Sequence, residues 1–118
     1  MGTFFRSVEI AAATHGAFQF VEAMLDTGAT YTSVPRPLLE GLGIAALETH
    51  SFLLANGQSV EYDIAQMRVR IDGRERYTVC IFGEERSTPL LGAFTLEALS
   101  LGVDPVNQWL APVQGYLV

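Results

Sequence analysis

An apolar segment at residues 17–25 runs without a break into Asp26, Thr27 and Gly28. A carboxylate at the end of a buried strand needs hydrogen-bond donors, because a protein interior solvates its charge poorly. Gly28 allows the backbone to turn tightly and to offer N–H groups, and Thr27 adds a hydroxyl. A carboxylate in this setting is a candidate acid or base. Because the bare tripeptide is also a common turn, its meaning depends on the rest of the chain.

The segments on either side of this turn are typical of short strands. Val8 and Ile10 alternate with polar neighbours, and residues 17–25 are rich in aromatic and aliphatic side chains. We therefore predict a hairpin that turns at His15 and Gly16.

A short extended piece and a short helix are expected after the acidic turn. The extended piece covers residues 31–34. Pro37 is suited to the first turn of a helix, and Gly41 or Gly43 is suited to its end. The helix then has at most two or three turns.

The segment SFLLANGQSVEY, residues 51–62, contains the strongest hairpin signal of the chain. Asn56 and Gly57 lie between two strand-like runs, and this dipeptide favours the backbone of tight hairpin turns. The sequence leaves open whether the loop has two or three residues.

A second hairpin is predicted around Gly73. Residues 65–71 alternate between apolar and polar side chains, so one face of this strand is expected to be buried. A two-residue loop would pair Val69 with Arg76 and mix the two faces, whereas a three-residue loop that ends at Gly73 pairs Met67 with Tyr77. We therefore expect the three-residue loop, and an apolar face formed by Tyr77, Val79 and Ile81.

The end of the chain is expected to contain one more helix and one more extended segment. The helix is predicted over AFTLEALS, residues 93–100, after Leu90, Leu91 and Gly92. A turn at Gly102 and an extended segment over residues 103–113 follow. The whole pattern predicts a mostly β domain with two short helices.

Length and composition exclude several classes of protein. The 118 residues suffice for one core, and a hydrophobic content of 49% is far from that of disordered chains. A net charge of -6 disfavours nucleic acid, and the seven basic residues, all arginines, form no polybasic run for a membrane surface. No apolar run reaches the ~20 residues that span a bilayer. The chain is expected to be soluble as given, and it is compatible with being part of a longer protein.

The cysteine and histidine residues favour neither a disulfide nor a metal site. Cys80 is the single cysteine, so it has no partner within the chain, and no Cys/His cluster is present. We expect no cofactor, and the compartment stays unknown, with a cytoplasmic one slightly favoured. Cys80 is interpreted as a small buried hydrophobe, and His15 and His50 as surface or turn residues.

Four arginines of the second hairpin and the single tryptophan also have expected environments. Arg68, Arg70, Arg74 and Arg76 are expected on one hairpin face, solvated and beside acidic neighbours. Trp109 is interpreted as either a core residue or an interface anchor.

Three segments in this order resemble the retropepsin-like aspartic proteases, the family of the retroviral proteases and their single-domain bacterial relatives. LDTGATYTSV (25–34) is similar to the active-site loop, SFLLANGQSVEY (51–62) takes the place of the flap hairpin, and PLLGAFTLEALSLGVDP (89–105) is similar to the loop and helix of bacterial members. The resemblance implies a mostly β, closed barrel-like retropepsin fold with one or two short helices, over residues 1–118 as a single domain.

The resemblance also implies a role for each matching residue. Asp26 would be the catalytic aspartate, Thr27 would hydrogen-bond across to a partner subunit, Gly28 would let the loop backbone approach Asp26, and Ala29 would line the cleft. The flap and substrate-binding residues would be Ala55, Asn56 and Gly57. The structural loop beneath the active site would be formed by Leu90, Leu91 and Gly92.

The activity implied is that of an aspartic endopeptidase. Peptide hydrolysis by aspartates needs two carboxylates that activate one water, and the chain contains one such loop, so two Asp26 residues of a homodimer would have to meet. The expected partners are a second copy of the chain and an extended peptide or protein substrate, and the monomer is expected to be inert. The alternative is a catalytically silent dimeric peptide-binding module with the same fold, although a pure binder has no need of a buried carboxylate pair.

Overall fold

The computed structural model describes residues 3–104 and 106–114. This part of the chain consists mainly of strands. Its elements are, in chain order, β1 (Thr3–Ala12), β2 (Gln19–Asp26), β3 (Thr32–Pro35), α1 (Arg36–Gly41), β4 (Glu48–Leu53), β5 (Ser59–Ile71), β6 (Arg74–Gly83), β7 (Leu90–Leu91), α2 (Ala93–Ala98), β8 (Leu101–Asp104) and β9 (Trp109–Pro112). No helix among these residues is long and apolar enough to cross a membrane.

Six strands form a closed ring in the order β1-β2-β7-β3-β6-β5, and the ring closes because β5 also pairs with β1. The edge strand β4 is attached to β5 and lies outside the ring. Apolar side chains from the ring and from both helices pack together as one core, in which Ile10, Leu25, Leu39, Met67 and Leu99 are fully buried. The prediction of a mostly β, closed fold with two short helices is confirmed.

The first predicted hairpin is present. β1 and β2 pair antiparallel from Thr3 opposite Asp26 to Ile10 opposite Gln19. Gly16 lies in the connection with a φ of +84°, a conformation that favours glycine. This hairpin places Asp26 at the last position of β2.

The predicted strand over residues 65–71 is also present, but it is part of a longer strand. Its apolar side chains Ala65, Met67, Val69 and Ile71 are all buried, as the alternation predicts. β5 begins at Ser59, so the second strand of the predicted flap hairpin continues directly into the core. The flap hairpin is therefore continuous with β5, a strand of the ring.

The predicted apolar face of β6 is wrong. Tyr77 and Val79 are 61% and 39% exposed, whereas Thr78, Cys80 and Phe82 are buried. The predicted three-residue loop is also wrong. The loop has two residues, Asp72 and Gly73, with φ angles of 52° and 82°, and it pairs Ile71 with Arg74 and Met67 with Thr78.

Hydrogen bonds to α2 explain why arginines on the inner side of β6 are tolerated. Arg74 donates to the carbonyl oxygens of Leu99 and Ser100 at 3.0 and 3.2 Å, and Arg76 donates to that of Ala98 at 3.0 Å. These carbonyls lie at the end of the helix, where no helical N–H group satisfies them. Two arginines therefore cap α2 from the strand, and their charges are solvated by backbone oxygens.

The same register separates the four arginines that were expected on one face. Arg68 and Arg70 lie on the outer side of β5, where Arg70 is 2.7 Å from Glu9 and 3.9 Å from Glu75. The hydrogen bonds from Arg70 hold the pKa of Glu9 below its usual value. The predicted acidic neighbours are present for Arg68 and Arg70, whereas Arg74 and Arg76 face the helix instead.

The end of the chain differs from the prediction. Gly102 is not in a turn but inside β8, and the expected extended segment is a two-stranded hairpin of β8 and β9. Trp109 is 56% exposed at the start of β9, so it is not a core residue. The structure does not describe residue 105 or residues 115–118.

The remaining local predictions agree with the structure. A proline lies in the first turn of α1, and Gly43 follows its end with a φ of +78°. Cys80 is fully buried, and the loss of water around the thiol raises its pKa to about 12. His15 and His50 are both exposed.

Candidate active site

Asp26 ends a strand whose last residues before it are held on both sides. β2 pairs with β1 on one side and with β7 on the other, where Met24 lies opposite Leu90 and Leu25 lies opposite Leu91. Leu25 is fully buried, and Asp26 is half-buried. The strand therefore leads from the buried core to an exposed turn, and Asp26 lies at the boundary between them.

The turn after β2 supplies one hydrogen bond to the Asp26 carboxylate and one to the Asp26 backbone. The Gly28 N–H donates to Oδ1 of Asp26 at 2.9 Å, and the Ala29 N–H donates to the Asp26 carbonyl at 3.1 Å. A Cβ atom at Gly28 would lie 3.2 Å from the same Oδ1. A side chain at residue 28 would therefore crowd the carboxylate, which explains the glycine.

The start of α2 is hydrogen-bonded to the last part of this turn. The N–H groups of Ala93 and Phe94 donate to the carbonyls of Ala29 and Thr30 at 2.7 and 3.0 Å. The first N–H groups of a helix have no partner within it, so the loop carbonyls satisfy them. Helix and loop therefore hold each other in place.

Gly92 lies between β7 and α2, against the segment that follows the turn. A Cβ atom there would be 2.5 Å from the carbonyl oxygen of Tyr31 and 2.7 Å from that of Thr30. These neighbours are backbone atoms and cannot rotate away. Leu90, Leu91 and Gly92 thus lie directly beside the Asp26 turn.

The flap hairpin has a three-residue loop, which settles the alternative left open by the sequence. The Leu54 N–H donates to the Gln58 carbonyl at 2.7 Å, so Ala55, Asn56 and Gly57 remain between them. Gly57 has a φ of +88°, the left-handed conformation that closes loops of this length. All three loop residues are exposed.

The two faces of the flap differ in their contacts and in their exposure to solvent. Phe52 pairs with Val60, so both lie on one face, whereas Leu53 pairs with Ser59 on the other and is 76% exposed. The Phe52 ring packs edge-on against Tyr31, five residues after Asp26, with 5.3 Å between ring centroids. The apolar face of the flap therefore meets the active-site segment.

Sequence reasoning missed two groups of residues around the site. One is an aromatic cluster in which Tyr31 contacts Phe52 and also Phe94, at 5.8 Å. The other is a set of three buried threonines, Thr32, Thr78 and Thr95. The sequence gives no such signal for Thr78, because the predicted apolar face of Tyr77, Val79 and Ile81 places it on the opposite side of β6.

The three other aspartates of the chain are engaged elsewhere. Asp63 accepts hydrogen bonds from Thr49 at 2.7 Å and from Arg36 at 2.6 Å, and both bonds lower its pKa. Asp72 pairs with Arg6, and Asp104 accepts bonds within its own turn. Within the described residues no group of three or more acidic, histidine or cysteine side chains could hold a metal ion.

The fold built on this ring of strands is shared with solved structures, one of which is described as a retropepsin-like aspartic protease. The chain belongs to the aspartyl protease family, because the family's sequence model, described as "Aspartyl protease", matches residues 10–94. The resemblance inferred from the sequence is thereby confirmed. No curated protein sequence matches the chain significantly.

Solved structures of this class share the fold. The EIAV protease complexed with the inhibitor HBY-793 has a TM-score of 0.61 at 18% identity, over 81% of this chain and 86% of that one. The simian foamy virus (mac) protease has a TM-score of 0.54 at 20% identity, with coverages of 78% and 92%. A retropepsin-like aspartic protease from Rickettsia conorii has a TM-score of 0.56 at 23% identity, with coverages of 86% and 87%.

Proposed function

We propose that this chain is an aspartic endopeptidase that forms one domain over residues 1–118 and acts as a homodimer. The observation that carries the proposal is the Asp26 carboxylate, which follows the buried Leu25 at the end of β2 and accepts a hydrogen bond from the Gly28 N–H at 2.9 Å. A turn with a purely structural function does not need a carboxylate that is held in place beside the solvent at the end of a core strand.

The proposed mechanism uses two carboxylates that share one proton. The ionised Asp26 of one subunit takes a proton from a water molecule, and the water oxygen attacks the carbonyl carbon of the peptide bond. The protonated Asp26 of the partner donates to the carbonyl oxygen. The first Asp26, now protonated, donates its proton to the peptide nitrogen, and the ionised Asp26 of the partner takes a proton from a hydroxyl group of the tetrahedral intermediate. The C–N bond then breaks, an amine and a carboxylic acid leave, and the two carboxylates again share one proton. No metal or cofactor takes part in this scheme.

The homodimer follows from the number of catalytic turns. Each chain supplies one Asp-Thr-Gly sequence, and a two-fold axis brings the same residue of both chains to one place. Thr27 is exposed beside Asp26, and we propose that its hydroxyl bonds to the partner subunit beneath the two carboxylates. Ala29 is half-buried and would line the cleft without adding a polar group.

The substrate would bind as an extended strand beneath the flap. Extended peptides are recognised through main-chain hydrogen bonds and through pockets for alternate side chains. Ala55, Asn56 and Gly57 would contribute main-chain groups at the tip of the flap, and the face that carries Phe52 and Val60 would contribute apolar surface. Leu90, Leu91 and Gly92 would serve as the floor that supports the Asp26 turn. We expect apolar or aromatic side chains on both sides of the cut.

A random peptide library, read by mass spectrometry, tests the proposal. The wild type should cleave peptides between apolar residues, and Asp26→Asn should abolish cleavage without loss of fold, because an amide cannot activate water. Asp72→Asn is the matched control, since Asp72 lies in an exposed turn whose positive φ also suits asparagine. Undiminished cleavage by Asp26→Asn would overturn the proposal, and a wild type that binds peptides without cutting them would establish the binding module instead.

A further inference from the structure

Three buried hydroxyls form a hydrogen-bonded chain behind the active-site turn, and we call Thr32, Thr95 and Thr78 the threonine chain. The Oγ1 atoms of Thr32 and Thr95 are 2.5 Å apart, and those of Thr95 and Thr78 are 2.8 Å apart. The Gly92 N–H donates to Oγ1 of Thr32 at 3.1 Å. The threonine chain therefore connects β3, α2 and β6 to Gly92, the glycine that precedes α2.

One donor direction satisfies every hydroxyl of the threonine chain. Thr32 accepts from Gly92 and can donate to Thr95, which can donate to Thr78. The Thr78 hydroxyl faces the Val79 carbonyl at 3.5 Å, which is a long and weak contact. Thr95 is the central member, because it takes part in two short bonds, and both are lost if its hydroxyl is removed.

A short series of backbone contacts leads from Gly92 to Asp26. The two residues after Gly92 donate their N–H groups to the carbonyls of Ala29 and Thr30 at 2.7 and 3.0 Å. Ala29 in turn donates to the Asp26 carbonyl, and its neighbour Gly28 donates to the Asp26 carboxylate. A shift of Gly92 therefore changes the position of the single backbone donor that holds Oδ1.

We propose that Thr95 is a positioning residue, whose buried hydroxyl fixes Gly92 and the start of α2 and so holds the Gly28 N–H at the Asp26 carboxylate. Thr95 does not reach the substrate, because it is fully buried in the helix. The inference rests on the proposed function only where activity is the readout. Its geometric part concerns the backbone of the Asp26 turn, whatever that turn does.

Steady-state kinetics on a peptide taken from the library give the first test. Thr95→Val keeps the shape of the side chain and removes the hydroxyl, and it should lower kcat by roughly 10- to 100-fold, since small displacements of reacting groups cost factors of this size. KM should stay within about twofold, because the flap is untouched. Thr95→Ser restores the hydroxyl and should recover most of kcat.

The control separates positioning from loss of stability. Val69→Ala removes buried methyl groups from β5, where Val69 pairs with Ile10 and Arg76, away from the Asp26 turn. It should lower the melting temperature and leave kcat unchanged. If Thr95→Val loses no more kcat than Val69→Ala, or if Thr95→Ser does not recover it, the proposal is wrong.

Amide hydrogen exchange, followed by NMR, gives a readout that does not need activity. In Thr95→Val the amides of Gly92 and Gly28 should exchange faster than in the wild type, and in Val69→Ala they should follow only the global stability. Faster exchange at Gly92 with unchanged exchange at Gly28 would overturn the proposal. Exchange also decides the matter if the wild type cleaves no peptide, an outcome that would refute the proposed function alone.

A second variant covers the case in which Thr95→Val does not fold. Thr78→Val removes only the last member of the threonine chain and leaves the bond between Thr32 and Thr95 possible. It should change kcat and the Gly28 exchange rate in the same direction and by a smaller factor. Wild-type values for both quantities in a folded Thr78→Val protein, together with an unfolded Thr95→Val, would contradict a positioning role and show a purely structural one.

Discussion

Gly92→Ala places one methyl group where the structure has no room for it. The new Cβ atom would lie 2.5 Å from the Tyr31 carbonyl oxygen, 2.6 Å from its carbon and 2.7 Å from the Thr30 oxygen. Carbon atoms in packed proteins approach other heavy atoms to about 3.5 Å. The two backbone segments must therefore separate by roughly 1 Å, which is enough to break the bonds that join them.

The cost follows from the contacts that this separation disrupts. Overpacking a rigid site costs about 1–3 kcal/mol. The bonds from Ala93 and Phe94 to the Asp26 turn, and from Gly92 to Thr32, each contribute about 1 kcal/mol, and at least one of them must lengthen. We expect Gly92→Ala to lower the free energy of unfolding by about 2–4 kcal/mol, and to abolish cleavage at temperatures where the variant is still folded.

Urea unfolding and peptide cleavage, measured on the same samples, check this expectation. Gly41→Ala is the matched control, because a Cβ atom at Gly41 meets nothing within 4 Å and the residue lies at the end of α1. The control should be neutral or stabilised by up to about 1 kcal/mol. A Gly92→Ala protein that unfolds at the wild-type urea concentration and cleaves at the wild-type rate would refute the reasoning.

Three further predictions concern acid stability, the buried thiol and the flap. Bonds from Thr49 and Arg36 lower the pKa of Asp63 in the folded state, so its contribution to stability is present above pH ~3.8 and is lost as the pH falls through the folded pKa. In urea unfolding, Asp63→Asn should destabilise the protein at pH 7, and this loss of stability should shrink as the pH falls below ~3.8; a loss that stays constant with falling pH would contradict the prediction. Burial raises the pKa of Cys80 to about 12, so iodoacetamide at pH 8 should label it only in denaturant, and rapid labelling of the native protein would contradict the buried position. Phe52→Ala should raise KM for apolar peptides, whereas Leu53→Ala, on the opposite face of the flap, should not, and equal effects in a kinetic assay would show that the flap face is wrongly assigned.

The sequence predicts those features of the fold that depend on near neighbours. The Asp26 turn, the two helices and the hairpins at Gly16 and Gly57 each follow from residues within a short window, in which glycine or proline marks the boundary. The alternation over residues 65–71 also predicts the buried face correctly, because the strand is bordered by the core along that length.

The features that the sequence does not predict depend on contacts between distant parts of the chain. Arg76 occupies the inner side of β6 because it bonds to Ala98, 22 residues away, and no local pattern contains that partner. Thr32 and Thr95 are 63 residues apart, so their hydrogen bond becomes visible only in the folded chain. Gly102 resembles a turn residue in sequence, but it lies within β8 because β9 pairs with that strand.

The central claim is that two chains share one pair of Asp26 carboxylates, and a mixing experiment tests it most directly. Wild type and Asp26→Asn are mixed at constant total concentration, exchanged to equilibrium, and assayed for cleavage, with sedimentation to confirm that both proteins form dimers. If the site needs both carboxylates, mixed dimers are inert and activity falls as the square of the wild-type fraction, to about one quarter in an equal mixture. A linear fall, to about one half, would show that each chain carries a complete site and would contradict the account.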